Sequence, residues 1–181
     1  MGFVIGIGIL LVVLAWVITT YNSLIKDREF VRNSMGQISA QIESRWEAIR
    51  NMIEGTKQYA DYEAKVLEEI TEKRTKLGRE ASVIDVEKDN GLFGQALNQL
   101  YAVAENYPDL KASKVYQDTL MNVDKYEQQV RHSRMIFNDT VTKYNRRVQS
   151  VPSNIIAGLF NFPVERYFEN TPEKADMPGW S

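Results

Sequence analysis

Apolar and polar residues alternate along this chain in two different rhythms. Residues 2–18 carry no charge and are almost wholly apolar, GFVIGIGILLVVLAWVI. About 20 such residues in a helix cross the hydrocarbon core of a bilayer. Thr19, Thr20 and Tyr21 extend the stretch to the interface, where Trp16 and Tyr21 suit the headgroup level. From Tyr21 to Leu77 there is no Pro, and Gly occurs only at 36 and 55. Seam residues there repeat alternately every four and three: Leu24, Arg28, Val31, Met35, Ile38, Ile42, Arg45, Ile49, Met52, Thr56, Tyr59, Glu63, Val66, Ile70, Lys73 and Leu77. This heptad predicts a long helix presenting one narrow apolar stripe to a partner. No breaker separates it from the apolar stretch, so one continuous rod is expected, standing roughly 80 Å above the membrane.

Gly78 suits a helix C-cap. Residues 79–91 are polar and end in Asp89-Asn90-Gly91, a turn signal, so a solvated linker is expected there. Residues 92–107 read as a helix with Phe93, Leu97, Leu100, Ala104 and Tyr107 on one face, broken at Asn106-Tyr107-Pro108. A second long helix is predicted over 109–150, with its seam at Tyr116, Leu120, Val123, Glu127, Val130, Arg134, Phe137, Val141, Tyr144, Val148 and Val151. Pro152 ends it. Ser153 and Asn154 can cap a short helix over 155–160, a last helical piece is expected over 164–170, and 171–181 reads as a flexible tail. No segment alternates with period two. The expected fold is all-α: a single N-terminal transmembrane helix (1–20), then an antiparallel up-and-down helical bundle (21–170) of two long helices and one or two short ones.

Charge refines this picture. A cleaved signal peptide wants Lys or Arg before its apolar core and a small-x-small exit; here the exit is Trp16-Val17-Ile18-Thr19-Thr20, which favours an uncleaved single-pass anchor. Lys26, Arg28 and Arg32 follow the span, which places the bundle in the cytoplasm and the N-terminus outside. The formal net charge is −2, so no nucleic-acid partner is expected. There is no Cys, which removes disulfides and thiol chemistry.

Motifs for catalysis are missing. His132 is the only histidine, with Gln129 three residues before it, so the Glu-x-x-His pairs of di-metal bundles cannot form. The acidic run from Asp85 has Asn90 where a calcium loop needs Gly, and Ala96 where it needs Glu. No catalytic residue, metal ligand or cofactor site is assigned, and an enzyme is not expected. Arg28, Arg45, Glu63, Glu127 and Arg134 are charges on the seams. A buried unpaired charge is costly, so these are expected to form interhelical pairs that fix register; a polar pocket is the alternative. An aromatic followed by Asn recurs at Tyr21-Asn22, Phe137-Asn138 and Tyr144-Asn145, suggesting Asn side chains that hydrogen-bond across helices. Gly2-x-x-x-Gly6, with Gly8 nearby, would let two anchors approach as a homo-oligomer.

Four blocks together resemble one family. They are residues 21–28 (YNSLIKDR, with Tyr21, Asn22 and Arg28), 57–63 (KQYADYE), 105–112 (ENYPDLKA, with Asn106, Tyr107, Pro108, Leu110 and Lys111), and the run Asn138, Tyr144, Asn145 and Pro152 leading toward Tyr167-Phe168-Glu169. The chain is similar to the LemA family of bacterial membrane proteins and is identified as a divergent member. It departs from the family pattern at 38–42, Ser44-Arg45, Arg50 and Pro178-Gly179-Trp180. The resemblance implies a helical bundle on one N-terminal anchor in a bacterial membrane, with no defining enzymatic activity. Some relatives belong to magnetosome membranes, which implies a role in organising membranes or protein partners. A signalling adaptor whose helices shift, and an envelope-facing spacer of inverted topology, are the alternatives.

Overall fold

The structure is a computed structural model that describes residues 1–56, 69, 71–72 and 76–169. Among them there is helix and no strand. Helix α1 runs without interruption over Gly2–Thr56. Its residues 2–15 are exposed on every side, and it is the one described helix long and apolar enough to cross a membrane. From Trp16 onward the same helix packs against the core, and from Leu24 one face is buried within it. The expected single rod to Leu77 is corrected: Ser39 donates to the Gly78 carbonyl at 3.0 Å and Gly36 lies against Arg79, so the chain has returned to mid-height of α1 by Gly78.

Helix α2 covers Val83–Asn106 and begins earlier than its Asp89-Asn90-Gly91 sequence suggests. Ser82 N-caps it: its hydroxyl accepts from the Asp85 amide at 3.2 Å, while the Asp85 carboxylate accepts from the Ser82 amide at 2.9 Å. This capping box satisfies two orphan amides and starts the helix inside the expected linker. Tyr107 (φ −125°, ψ 85°) leaves helical geometry, and Pro108 opens the single-turn helix α3, Pro108–Ala112. The chain therefore breaks cleanly at this point. A second interruption corrects the expected 109–150 helix: Ser113 is extended and its side chain caps α4, Lys114–Gln149, by accepting from the Tyr116 amide.

Helix α5 spans Ser153–Leu159. Ser153 does not cap it; its hydroxyl donates to the carbonyls of Arg147 and Ser150, tying α5 to the end of α4. Asn161 takes a left-handed φ of 55°, with its amide and that of Phe162 bonded back to Gly158 and Ala157. This is a Schellman ending, and Asn tolerates its left-handed position. Beyond it, 162–169 is an extended strap rather than the expected helical piece. Residues 170–181, including the expected tail, lie outside the described residues.

Direction follows from paired charges. Asp27 meets Arg147 at 2.9 Å and Arg45 meets Glu127 at 2.7 Å, so α1 and α4 are antiparallel. Gly36 lies against Arg79 and Trp46 against Phe93, so α2 runs with α1. The seam residues Leu24, Val31, Met35, Ile38, Ile42, Ile49 and Met52 are buried with Val123, Val130, Phe137, Val141, Tyr144 and Val148. Trp46 and Ile53 widen the buried face of α1 toward α2, where Val86, Phe93, Ala96 and Leu100 are buried. Each buried Val, Leu, Ile, Met or Phe among them contributes roughly 1.5–3 kcal/mol by leaving water.

Candidate functional site

The most concentrated polar chemistry in the core is built around Arg45. Consecutive positions on α1 direct Arg45 and Trp46 toward α2, while Arg45 also reaches α4. Arg45 is 1% and Asp89 3% exposed. Arg45 Nη2 donates to Asp89 Oδ2 and to Asn90 Oδ1, each at 3.1 Å, and Nη1 donates to Glu127 Oε2 at 2.7 Å. Trp46 Nε1 donates to both Asp89 oxygens, at 3.0 and 3.1 Å. One helical turn beyond Asp89, the Phe93 ring lies 3.8 Å beneath the guanidinium and meets Trp46 edge-on at 5.2 Å. A planar guanidinium can stack on a ring while donating in two directions, which a lysine cannot do. Both Asp89 oxygens are engaged, so this carboxylate is held as a structural acceptor rather than presented as a base.

The other seam charges are placed differently. Arg134, one heptad beyond Glu127 on α4, stacks over the Phe168 ring at 5.1 Å. Burial lowers its pKa, while the nearby Glu127 charge acts the other way. Arg28 lies over the Phe162 ring at 4.8 Å. Among the described residues, Arg28 Nε, Arg45 Nε, and Arg134 Nε and Nη2 are buried without a hydrogen-bond partner. Glu63, and the block 57–63, lie outside the described residues.

The aromatic–Asn pairs form a second device, which corrects the expectation of helix-to-helix bonds. Asn138 Nδ2 donates to the Phe168 carbonyl and its Oδ1 accepts from the Phe168 amide, at 3.0 and 2.9 Å. Asn145 holds Glu165 in the same two ways, at 2.8 and 2.9 Å. Tyr144 donates its hydroxyl to the Pro163 carbonyl, and burial raises its pKa. A side-chain amide presents the same donor and acceptor as a peptide, so each Asn pairs with the strap as a strand edge would. The spacing agrees: seven residues of helix rise about 10.5 Å, and three extended residues cover about 10 Å. The strap then buries Phe162 and Phe168, the latter against Phe137 at 5.1 Å.

The remaining motif positions are architectural. Tyr21 packs its ring against Phe160 and Phe162, whereas Asn22 is exposed. Asn106 closes α2, Tyr107 and Pro108 form the break, Leu110 is buried, and Lys111 is exposed in the last turn of α3. Pro152 precedes α5 at its N-cap. An open groove of about 430 Å³ beside the strap is lined by Arg28, Arg32, Arg79, Glu80, Glu165 and Arg166, among others. Its charges are partly cancelled, with Arg32 on Glu29 and Glu80, and Arg79 on Glu29. Among the described residues no group of three or more His, Asp or Glu is placed to hold a metal.

Asp89, Asn90, Trp46 and Phe93 were not recognisable as site residues from the seams. The signal that would have found Asp89 is the helix start Ser82-x-x-Asp85, after which Val86, Asp89 and Phe93 fall on one face at helical spacing.

Residues 34–179 match the family model described as the LemA family. A Protein LemA from Metamycoplasma hominis is 26% identical over 140 residues, 75% of this chain and 63% of that protein. Magnetosome protein MamQ 2 of Paramagnetospirillum magneticum is 29% identical over 83 residues, 46% of this chain and 30% of that protein. Magnetosome protein MamQ of Magnetospirillum gryphiswaldense is 28% identical over the same length. The chain thus spans less than two thirds of each of these relatives. With most of its length matched and a helical structure carrying one candidate membrane span, the chain belongs to the LemA family.

Proposed function

We propose that this protein is a non-enzymatic, membrane-anchored helical scaffold that organises protein partners, or the membrane itself, at the cytoplasmic face of a bacterial cell membrane. The observation that carries this reading is the continuity of α1, which passes from the apolar span into the bundle core without a break. A bundle joined to its anchor by an unbroken helix holds its outer faces at fixed heights above the bilayer. Arg45, with Asp89 and Glu127, locks three helices into one register beneath those faces. Lys26, Arg28 and Arg32 after the span support the cytoplasmic orientation. The magnetosome proteins among its relatives support a role tied to membrane organisation. Gly2 and Gly6 share one face of the span, and a side chain added at either would meet no other part of the chain, which suits close approach of a second copy there.

Photo-crosslinking in cells tests the scaffold reading. Crosslinkers at Met121 and Met135, both exposed on α4, should give discrete adducts in the anchored protein. Absence of adducts from every exposed face would contradict it.

A second reading, a regulatory adaptor with shifting helices, draws on the buried unpartnered nitrogens of Arg134. An under-satisfied seam lowers the cost of an alternative register.

A further inference from the structure

The bundle ends abruptly in apolar surface on the side where α1 leaves for the membrane. No charged residue occurs between Arg147 and Glu165. Within this run Val151 is 81%, Ile155 57%, Leu159 73% and Phe160 51% exposed. Ile155 and Leu159 stand one turn apart on α5, while Ile156 and Ala157 between them face inward and are buried. Water-facing helices of soluble bundles do not carry such a face without a partner.

The height of this surface along α1 identifies the partner. Phe160 packs its ring 4.8 Å from that of Tyr21, and Phe162 lies 5.7 Å from the same ring. Trp16 and Val17, inside the apolar stretch, are also packed against the core. About 20 helical residues, or 30 Å, cross the hydrocarbon core. The apolar run ends at Ile18, Thr19, Thr20 and Tyr21 border it, and Lys26 is the first charge beyond, so the boundary of the hydrocarbon lies near Tyr21. The base of the bundle therefore overlaps the last turn of the span, and α5 lies at the depth where acyl chains meet headgroups. Polar groups follow immediately above: Arg147 is paired with Asp27 at 2.9 Å, and Lys26 and Arg146 are exposed.

We propose that α5 and its flanking turns, residues 151–160, form a foot embedded in the bilayer interface beside the span, with Val151, Ile155, Leu159 and Phe160 in contact with lipid. Apolar side chains buried in this way at the headgroup–acyl boundary strengthen membrane attachment. With two points of contact the bundle stands on the membrane at a set tilt. A single span would leave it free to rotate about its axis. The inference rests on the reading of residues 2–18 as a membrane span.

The test uses the full chain in vesicles of phosphatidylcholine and phosphatidylglycerol. The protein has no Cys, so single variants Leu159→Cys, Ile155→Cys, Leu10→Cys and Met121→Cys each carry one fluorophore. Labels at 159 and 155 should be quenched by doxyl-labelled lipid, as at 10, and protected from aqueous iodide. The label at 121 should show the reverse. Quenching of 159 and 155 by iodide, with 10 still quenched by lipid, overturns the foot and leaves the span intact. Protection from both quenchers also overturns it, by showing that protein covers the surface. Loss of lipid quenching at 10 overturns the span reading and the foot with it.

Discussion

Arg45 and Asp89 meet across the α1–α2 interface with Nη2 3.1 Å from Oδ2 and both side chains almost wholly out of water. Removing charges from water costs several kcal/mol per ion, so the pair holds only because each partner is also bonded elsewhere. Arg45 reaches Glu127 on α4, and Asp89 accepts from Trp46. One arginine thereby couples three helices.

Replacing Asp89 by Ala should destabilise the bundle by about 3–5 kcal/mol, because the arginine loses its most buried partner. The double replacement Arg45→Met with Asp89→Leu should recover part of that loss, since neither charge of the pair remains, while Trp46 Nε1 loses its Asp89 acceptor. Thermal and chemical denaturation of the variants in nanodiscs would check this. An unchanged melting temperature for Asp89→Ala would remove the pair from the account.

Asn145→Ala should release the strap at one point. Two hydrogen bonds are lost, at about 0.5–1.5 kcal/mol each. Amide hydrogen exchange should accelerate at Glu165 while Phe168 stays protected by Asn138, and Asn138→Ala should give the opposite pattern. Equal acceleration at both sites in either variant would show that the two clamps do not act separately.

The capping box makes part of the stability pH-dependent. Hydrogen bonds from Ser82, its side chain first and its backbone second, lower the Asp85 pKa. A carboxyl whose pKa is depressed by folding stabilises the native state at neutral pH, and that contribution is lost as pH falls through and below the ordinary carboxylate range. Asp85→Asn should flatten this part of the acid profile, and Ser82→Ala should cost about 1 kcal/mol. Circular dichroism titration of both variants provides the measurement.

Orientation is open to a single thiol. Met121→Cys places a reporter on an exposed face of α4, clear of the buried cluster. In intact cells it should resist an impermeant thiol reagent and react only after lysis. Labelling before lysis would favour the envelope-facing spacer.

The sequence pattern announced some of these features and hid others for physical reasons. The long helices were legible over Leu24 to Met52 and Val123 to Val148, where one narrow stripe holds over many turns. The extension of the first as a rod to Leu77 was not, because a heptad that continues across a reversal of the chain gives no sign of it; Gly78 is back beside Ser39. Arg45 and Glu127 stood out as charges on those stripes. Asp89 did not, because Asp-Asn-Gly favours turns locally; the capping box at Ser82 and the pairing with Arg45 override that preference. The strap was equally hidden. Residues 162–169 have no periodicity of their own, and their extended course is set by Asn138, Tyr144 and Asn145 on another element. Tertiary pairing of this kind leaves little trace in the segment it organises.

The central claim is that α1 joins span and bundle as one rigid rod. Nitroxides at Leu11→Cys and Ala40→Cys, both exposed on α1, are separated by about 44 Å in an unbroken helix. Pulsed dipolar spectroscopy on the full chain in nanodiscs should give a single narrow distance peak at that value. A broad, shortened or two-peaked distribution would place a hinge between membrane and bundle and contradict the rigid scaffold.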